Sequence, residues 1–235
     1  MPVSILWSQF SESITTRPGV SLGAFLGDEA AWETLVELGL PVPEYEVFRQ
    51  ERALDPNPYG LDLPQELIEN LFLVRCLAFW GWLPLLCSAV ACARLQVERR
   101  PDCPEPLAPL RAEAFAAAVA YFATPDGEHK ERARLAARGC YDVYEPLEED
   151  PDSPQATEIW EELGAPWFAA ETAAQDVTLY GWDAKGPEGA SHTWGNRCAV
   201  WPQRAAEGAG VYASHAEVRE AIRGALLEWC RDNSS

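Results

Sequence analysis

The segment SHTWGNRC, residues 191–198, contains the residue types of a nucleophilic site. His192 and Cys198 lie six residues apart, and a cysteine nucleophile needs an imidazole within hydrogen-bond reach of its thiolate. Asp183 or Asn196 could orient that imidazole. Because almost any loop that holds a histidine and a cysteine offers this combination, we expect Cys198 to be a packed thiol and predict no catalytic residue.

A run of carboxylates over residues 148–152 is the second candidate for chemistry, because Ca²⁺ and Mg²⁺ bind oxygen ligands. The run lacks the glycine and the D-x-D-x-D spacing of a calcium loop. The sequence also contains no zinc-peptidase, di-iron, redox, hydrolase-elbow, phosphate-loop or dinucleotide-binding pattern. We therefore expect a protein that is not an enzyme and that needs neither a metal nor a cofactor.

The charged residues are distributed in blocks along a chain whose formal net charge is -19. Residues 139–184 hold 12 Asp or Glu and no Lys or Arg, whereas residues 94–138 hold 7 acidic and 8 basic side chains. A chain this acidic repels phosphate backbones and anionic membrane surfaces. The charge pattern therefore disfavours nucleic acid and membranes as partners and favours a basic protein.

Within the acidic block, Glu158, Glu161 and Glu162 are spaced for one side of a helix, and five tryptophans fall in or just after the block. Like charges four residues apart on a helix cost about 0.2–0.5 kcal/mol each, and a basic partner would relieve that repulsion. Aromatic rings beside charges are typical of interface anchors. A solvated acidic face and buried core tryptophans are the alternatives. The predicted partner-binding residues are Glu148, Glu149, Asp150, Asp152, Glu158, Trp160, Glu161, Glu162 and Trp167.

The elements that position these residues are predicted to be helices. The chain has 235 residues, of which 48% are hydrophobic, so it can bury a core. Periodicity, caps and breakers predict a mainly α protein, a multi-helix bundle or stacked helical array with irregular Pro-rich connections. We predict one helical domain over 1–235, with 1–63 as a candidate N-terminal subregion and an acidic connection over 145–156.

Local signals predict where individual helices begin and end. Ser214 and Glu217 form an S-x-x-E capping box for the last helix. Gly164-Ala165-Pro166 predicts a break in a helix that begins near Gln155, because proline lacks the N–H of a helical rung. Residues 183–196 are predicted to be a Gly-rich loop. The other predicted helices cover residues 28–39, about 64–82, 84–97 and 110–123, and one further helix ends at about residue 144. An irregular connection is predicted over 41–63 and a Pro-rich linker over 101–109.

Residues 76–93 contain no charge and reach the threshold length of a membrane span. Gly81 and Pro84 interrupt this run, so we predict a buried helix pair, with a transmembrane helix as the alternative. The seven cysteines, an odd number in mostly apolar surroundings, predict reduced thiols. The N-terminus lacks a basic stretch and a long apolar core, and we expect a cytoplasmic protein.

The segment LLCSAVACARLQVERRPDCPEPLAPLRAEAFAAAVAYFATPDGEHKERARLAARGC spans about residues 85–140. It combines an Ala/Cys-rich helix, an acidic Pro-containing turn and two Ala-rich helices. In this composition it resembles bacterial helical immunity proteins. The resemblance implies an inhibitor that binds a cognate toxin and has no catalytic residues of its own.

Together these observations predict an acidic, non-enzymatic inhibitor, immunity- or antitoxin-like, that occludes a basic protein partner. Charge attraction would speed the encounter, and buried aromatic contacts would slow release. Three alternatives remain open. The carboxylates could imitate phosphates and block a DNA- or RNA-binding protein, Cys198 and His192 could serve a cysteine-dependent enzyme, or the chain could be an assembly subunit.

Overall fold

The computed structural model describes residues 82–151, 153–175 and 192–232, together with Asn70, Val74 and Leu77. Of residues 192–199 and 230–232 it describes the backbone. These residues form six long helices and no strand, so the predicted mainly α fold is confirmed for the part described. The helices are α1 (Trp82–Arg99), α2 (Leu107–Ala123), α3 (Gly127–Tyr144), α4 (Pro154–Ala174), α5 (His192–Gly210) and α6 (His215–Asp232), with a 3₁₀ turn (Glu145–Leu147) after α3.

Helix α4 is the centre of the bundle, since α1, α2, α3 and α5 all pack against it. Helices α2 and α3 form a hairpin that also packs against itself, and α6 lies against α1. The facing sides of the hairpin are lined by alanines such as Ala117 of α2 and Ala137 of α3, which are fully or almost fully buried. Small side chains let helix axes approach closely, so the alanine content of this segment serves packing.

Helix α1 is buried almost all round along its first three turns. Residues 82–93 are all buried, as expected of a helix that is apolar on every side and lies inside a protein. The prediction of a buried apolar segment is therefore confirmed for these residues. Among the described residues, no helix combines the length and the apolar character that crossing a bilayer requires.

The last helix begins where the sequence predicts. The backbone N–H of Ser214 donates to Oε2 of Glu217 at 2.8 Å, and the N–H of Glu217 donates to Oγ of Ser214 at 3.3 Å. These are the two reciprocal bonds of a capping box. Val218, Ile222 and Leu226 then form a fully buried stripe against the core.

The predicted break at Gly164-Ala165-Pro166 is wrong, because the backbone of α4 remains helical from Pro154 to Ala174. The fully buried side chain of Gln96 contacts α4 at this turn. Its amide group donates to the carbonyl of Glu161 at 2.6 Å and accepts from the N–H of Ala165 at 2.7 Å. A side chain from α1 thus supplies hydrogen bonds at the point where the sequence weakens the helix.

The Gly-rich loop predicted over 183–196 is wrong at its end, because residues 192–196 are helical and belong to α5. This helix also contains Pro202 and continues past it to Gly210. The other predicted elements that lie outside the described residues are the helix over 28–39, the connection over 41–63 and the candidate subregion 1–63.

Candidate functional site

Five predicted binding residues are accessible on one stretch of the chain, from the turn after α3 to the second turn of α4. Ser153 caps α4 by accepting from the N–H of Ala156 at 3.3 Å, and Pro154 follows at the first helical position. Three of the carboxylates precede this cap and two follow it. We call the set the acidic surface; it consists of the exposed Glu148, Glu149, Asp150 and Glu158 and the half-buried Glu161.

The acidic surface has no cation next to it in the part of the chain that the structure describes. Among the described residues, no basic side chain lies within ion-pair distance of its five carboxylates. The nearest arginine along the chain, Arg138, binds Asp142 at 2.6 Å and Glu145 at 3.6 Å instead. Two acids of the block are therefore neutralised within α3 and the turn that follows it, and no described side chain compensates the charge of the acidic surface. Asp152, also predicted as a contact, lies outside the described residues.

Two half-exposed tyrosines border the acidic surface. The hydrogen bond to Glu148, together with burial, raises the pKa of Tyr141 above its usual range. The Arg138 guanidinium lies 4.8 Å from the centre of the same ring. Tyr144 follows one helical turn later, and its ring centre lies 5.6 Å from that of Trp167. Neither tyrosine was predicted as a binding residue from the sequence. Their i,i+3 spacing shortly before the carboxylates does indicate that both rings lie on the same side of a helix.

Trp160 and Trp167, predicted as interface anchors, lie in the core. Each is 5% exposed. The rings of Trp167 and Phe168 stack with centres 4.8 Å apart, and Trp160 packs against Phe168 at 5.1 Å. The predicted surface role is wrong for these two residues, because their rings are covered by neighbouring helices. Large aromatic rings stabilise a core through the same apolar area that would serve an interface.

Glu162 was also predicted as a partner contact, and this prediction is wrong because its side chain is buried. Its carboxylate accepts from Nε of Arg100 at 2.9 Å and lies 3.4 Å from Nη1 of Arg111. Arg111 is itself buried and donates to the carbonyls of Arg100 and Pro101 at 2.6 and 2.9 Å. We call the buried Arg111 and Glu162, together with the half-exposed Arg100, the buried ion cluster. It ties α4 to the connection between α1 and α2.

The described cysteines are not activated nucleophiles. Cys92 and Cys140 are free and buried, and Cys87 is also buried. Burial raises the pKa of Cys140 to about 12 and that of Cys103 to about 11. Both thiols therefore stay protonated at neutral pH, whereas the thiolate is the reactive form.

The predicted pair of His192 and Cys198 lies on the backbone of α5, not in a loop. Positions six apart on a helix are rotated by about 240°, so this backbone does not give them a shared face. Among the residues described, no three His, Cys, Asp or Glu side chains are grouped closely enough to hold a metal ion.

A shallow groove of about 480 Å³ lies between α2 and α3. Leu110, Leu135 and Gly139 are among the residues that form it. On its rim Arg132 donates to both carboxylate oxygens of Glu113, at 2.7 and 3.0 Å. The groove rim thus carries paired charges, in contrast to the acidic surface.

Comparisons of the chain with protein-family models, with curated proteins and with solved structures found no match.

Proposed function

We propose that this chain is a non-enzymatic inhibitor that binds a basic protein through the acidic surface and blocks it by occlusion. The observation that carries the proposal is the set of five accessible carboxylates without a cation among their described neighbours. The compositional resemblance of residues 85–140 to immunity proteins favours a toxin as the partner.

The acidic surface provides the attraction. Uncompensated carboxylates close together create a negative potential that steers a basic protein toward them and raises its association rate. Glu148, Glu149 and Asp150 are consecutive, and Glu158 and Glu161 lie one helical turn apart. Their mutual repulsion falls when lysines or arginines dock between them, so part of the binding free energy comes from relief of that repulsion.

The bordering tyrosines provide the anchors that the sequence assigned to tryptophans. Tyr141 and Tyr144 are half-buried, so each ring is already held by its neighbours yet keeps accessible area. Rings that are fixed before binding lose little side-chain entropy in the complex. Tyrosine is also enriched among residues that dominate interface energies. A basic partner would therefore contact a tyrosine edge and a carboxylate patch together.

The buried ion cluster and the core tryptophans support this surface from beneath. Glu162 lies one turn after Glu158 on α4 and is fixed by two arginines. Trp160 and Trp167 pack the inner side of the same helix. In this proposal they keep α4 in place and make no contact with the partner.

The test compares two variants that change the net charge equally. In the surface variant, Glu149→Lys, Asp150→Lys and Glu158→Lys are combined. The probe is a fluorescent deca-lysine peptide, whose affinity is measured by anisotropy at low and at physiological salt. We expect the surface variant to bind about tenfold more weakly or worse at low salt, a loss of about 1.4 kcal/mol or more.

The control variant places three lysines on exposed positions of other helices: Glu98→Lys, Glu128→Lys and Glu228→Lys. It should lose only the share of affinity that follows from net charge, about threefold or less. Equal losses in the two variants would refute the acidic surface as the binding site.

The same variants identify the class of a natural partner. A basic protein captured by the wild type and by the control variant, but not by the surface variant, fits the proposal. If duplex DNA or RNA displaces that partner from the wild type, the chain imitates nucleic acid. If it does not, the chain inhibits the partner at another surface.

A further inference from the structure

Gln96 is placed where it can take over one hydrogen-bonded rung of α4. Its side chain is fully buried and extends from α1 to the third turn of α4. The amide nitrogen donates to the carbonyl of Glu161, and the amide oxygen accepts from the N–H of Ala165. These two backbone groups are four residues apart, which makes them the acceptor and donor of a single α-helical bond.

The same turn of α4 is weakened by its own residues. Pro166 has no N–H to offer the carbonyl of Glu162, and its ring crowds that carbonyl. Gly164 lies against Gly208 of α5 so closely that a Cβ added to Gly208 would come within 2.6 Å of the nitrogen of Ala165. The turn is therefore held by contacts from α1 and α5, and its own hydrogen bonds contribute less than in a regular helix.

We propose that α4 is a jointed helix and that Gln96 holds the joint open by inserting its amide group between Glu161 and Ala165. The first half, residues 154–161, carries Glu158 and Glu161 of the acidic surface. The second half, residues 167–174, packs in the aromatic core. Gln96 is thus a positioning residue that sets the direction of the acidic half relative to the core.

The open joint is stable because it satisfies the hydrogen bonds of the buried Gln96 amide. If the Gln96 side chain withdrew, Ala165 could bond to Glu161 directly, but a fully buried amide would lose both of its partners. An unsatisfied buried polar group costs more free energy than one backbone hydrogen bond contributes net. With a leucine at this position nothing would need to be satisfied, and the helical rung would close.

The experiment is the measurement of scalar couplings across hydrogen bonds by NMR on the deuterated full-length chain. In the wild type we expect a coupling from the backbone ¹⁵N of Ala165 to the side-chain ¹³Cδ of Gln96, and one from the side-chain ¹⁵N of Gln96 to the carbonyl ¹³C of Glu161. A wild-type coupling from Ala165 to Glu161 would overturn the proposal. The wild type alone therefore decides whether the joint is open.

The positioning role is tested with Gln96→Leu. We expect both couplings to residue 96 to disappear, a coupling from Ala165 to Glu161 to replace them, and residual dipolar couplings to show a changed angle between residues 154–161 and 167–174. An unchanged angle would contradict the positioning role. Gln155→Leu, the same chemical change at an exposed position of α4, should alter neither measurement.

A second variant guards against loss of folding. In Gln96→Glu the carboxylate can still accept from Ala165 but cannot donate to Glu161 once ionised. The coupling from Ala165 to the side-chain ¹³Cδ of residue 96 should persist. The second coupling cannot be measured in this variant, because glutamate has no side-chain nitrogen. Only the consequence for binding rests on the proposed function. The couplings are measured without a partner, so a failed charge-reversal experiment leaves the joint intact, and a closed joint leaves the acidic surface untouched.

Discussion

Glu158 and Glu162 lie four residues apart on α4 and have opposite surroundings. Glu158 is exposed on the acidic surface and has no cation within reach among the described residues. Glu162 is 2% exposed and is bound by Arg100 and Arg111. The comparison shows that one turn of helix separates a charge available to a partner from a charge that the fold has already used.

The α2–α3 hairpin provides a second contrast with the acidic surface. Several of its exposed acids are paired, as Glu113 is with Arg132 and Glu131 with Arg134. Because both regions expose carboxylates, the number of acids does not distinguish them. What distinguishes them among the described residues is the presence of arginines within reach, and residues 139–184 contain no arginine.

The largest effect that tests this comparison comes from removing the charge of Glu162. Glu162→Gln leaves the buried Arg111 without its counter-ion, and breaking a buried pair typically costs about 3–5 kcal/mol. Glu158→Gln should change the free energy of unfolding by less than about 0.5 kcal/mol. Urea unfolding at pH 7 measures both variants. Similar values for the two would show that the inner and outer carboxylates do not differ as described.

The packed side of α4 can be tested through glycine in the same way. A methyl group added by Gly208→Ala would collide with the backbone of Ala165, and such overpacking costs about 1–3 kcal/mol. Gly224 of α6 has nothing within 4 Å of an added Cβ. Gly224→Ala should therefore stabilise the protein, by up to about 1 kcal/mol. Thermal and urea unfolding would measure the change in unfolding free energy for each variant. Equal destabilisation by Gly208→Ala and Gly224→Ala would argue against a close α4–α5 contact.

Alkaline pH tests the burial of Cys140. Burial, followed by the nearby charge of Glu171, raises the pKa of this thiol to about 12. The unfolded thiol loses its proton above about pH 8.5, so stability falls as pH rises between these values, by about 1.4 kcal/mol for each pH unit. The contribution is fully present at neutral pH and below. Cys140→Ala should flatten the decline of unfolding free energy between pH 8 and pH 10, and the remaining slope would include contributions from Cys92 and Cys103, whose pKa values burial also raises. An unchanged slope would mean that Cys140 is accessible.

The smallest effects come from neutralising single surface acids. Glu158→Gln removes a repulsion and should stabilise by about 0.2–0.5 kcal/mol, whereas Glu113→Gln removes an ion pair with Arg132 and should destabilise by about 0.2–1 kcal/mol. The opposite signs are expected at low salt and should both shrink at 1 M NaCl. The pKa of Glu113 is held below its usual range by Arg132, so the benefit of the pair should fade as the pH drops through that lowered pKa. If both substitutions changed the unfolding free energy in the same direction, the acidic surface and the α2–α3 hairpin would not differ in charge pairing as described.

The sequence predicted much of this fold because its signals are local. The capping box at Ser214 and the apolar run that contains residues 82–93 each depend on neighbouring residues, and both appear in the structure. The predicted break at Pro166 is wrong because neighbouring helices pack on this turn: Gln96, 70 residues earlier in the chain, bonds to Glu161 and Ala165, and Gly208 lies against Gly164. Helix propensity contains no information about a contact of that kind.

The candidate site was predicted less well for the same reason. Glu158 and Glu162 carry the same charge on the same helix, and only the positions of Arg100 and Arg111 decide which is buried. Spacing placed them together on one side of α4, although they lie on either side of the boundary between surface and core. Likewise, tryptophan suits a core and an interface equally well, so Trp160 and Trp167 could not be assigned until the neighbouring helices were known.

The guanidinium of Arg111 has a consequence for the evolution of chain length. It is bonded to two carbonyls at the exit of α1, so the path from Arg100 to Leu107 is fixed by a buried side chain. Extra residues are usually tolerated in surface connections because lengthening a loop costs little entropy. Insertions should therefore be accepted before Asp126, in the exposed turn of the α2–α3 hairpin, while insertions between α1 and α2 would disrupt those bonds and be selected against.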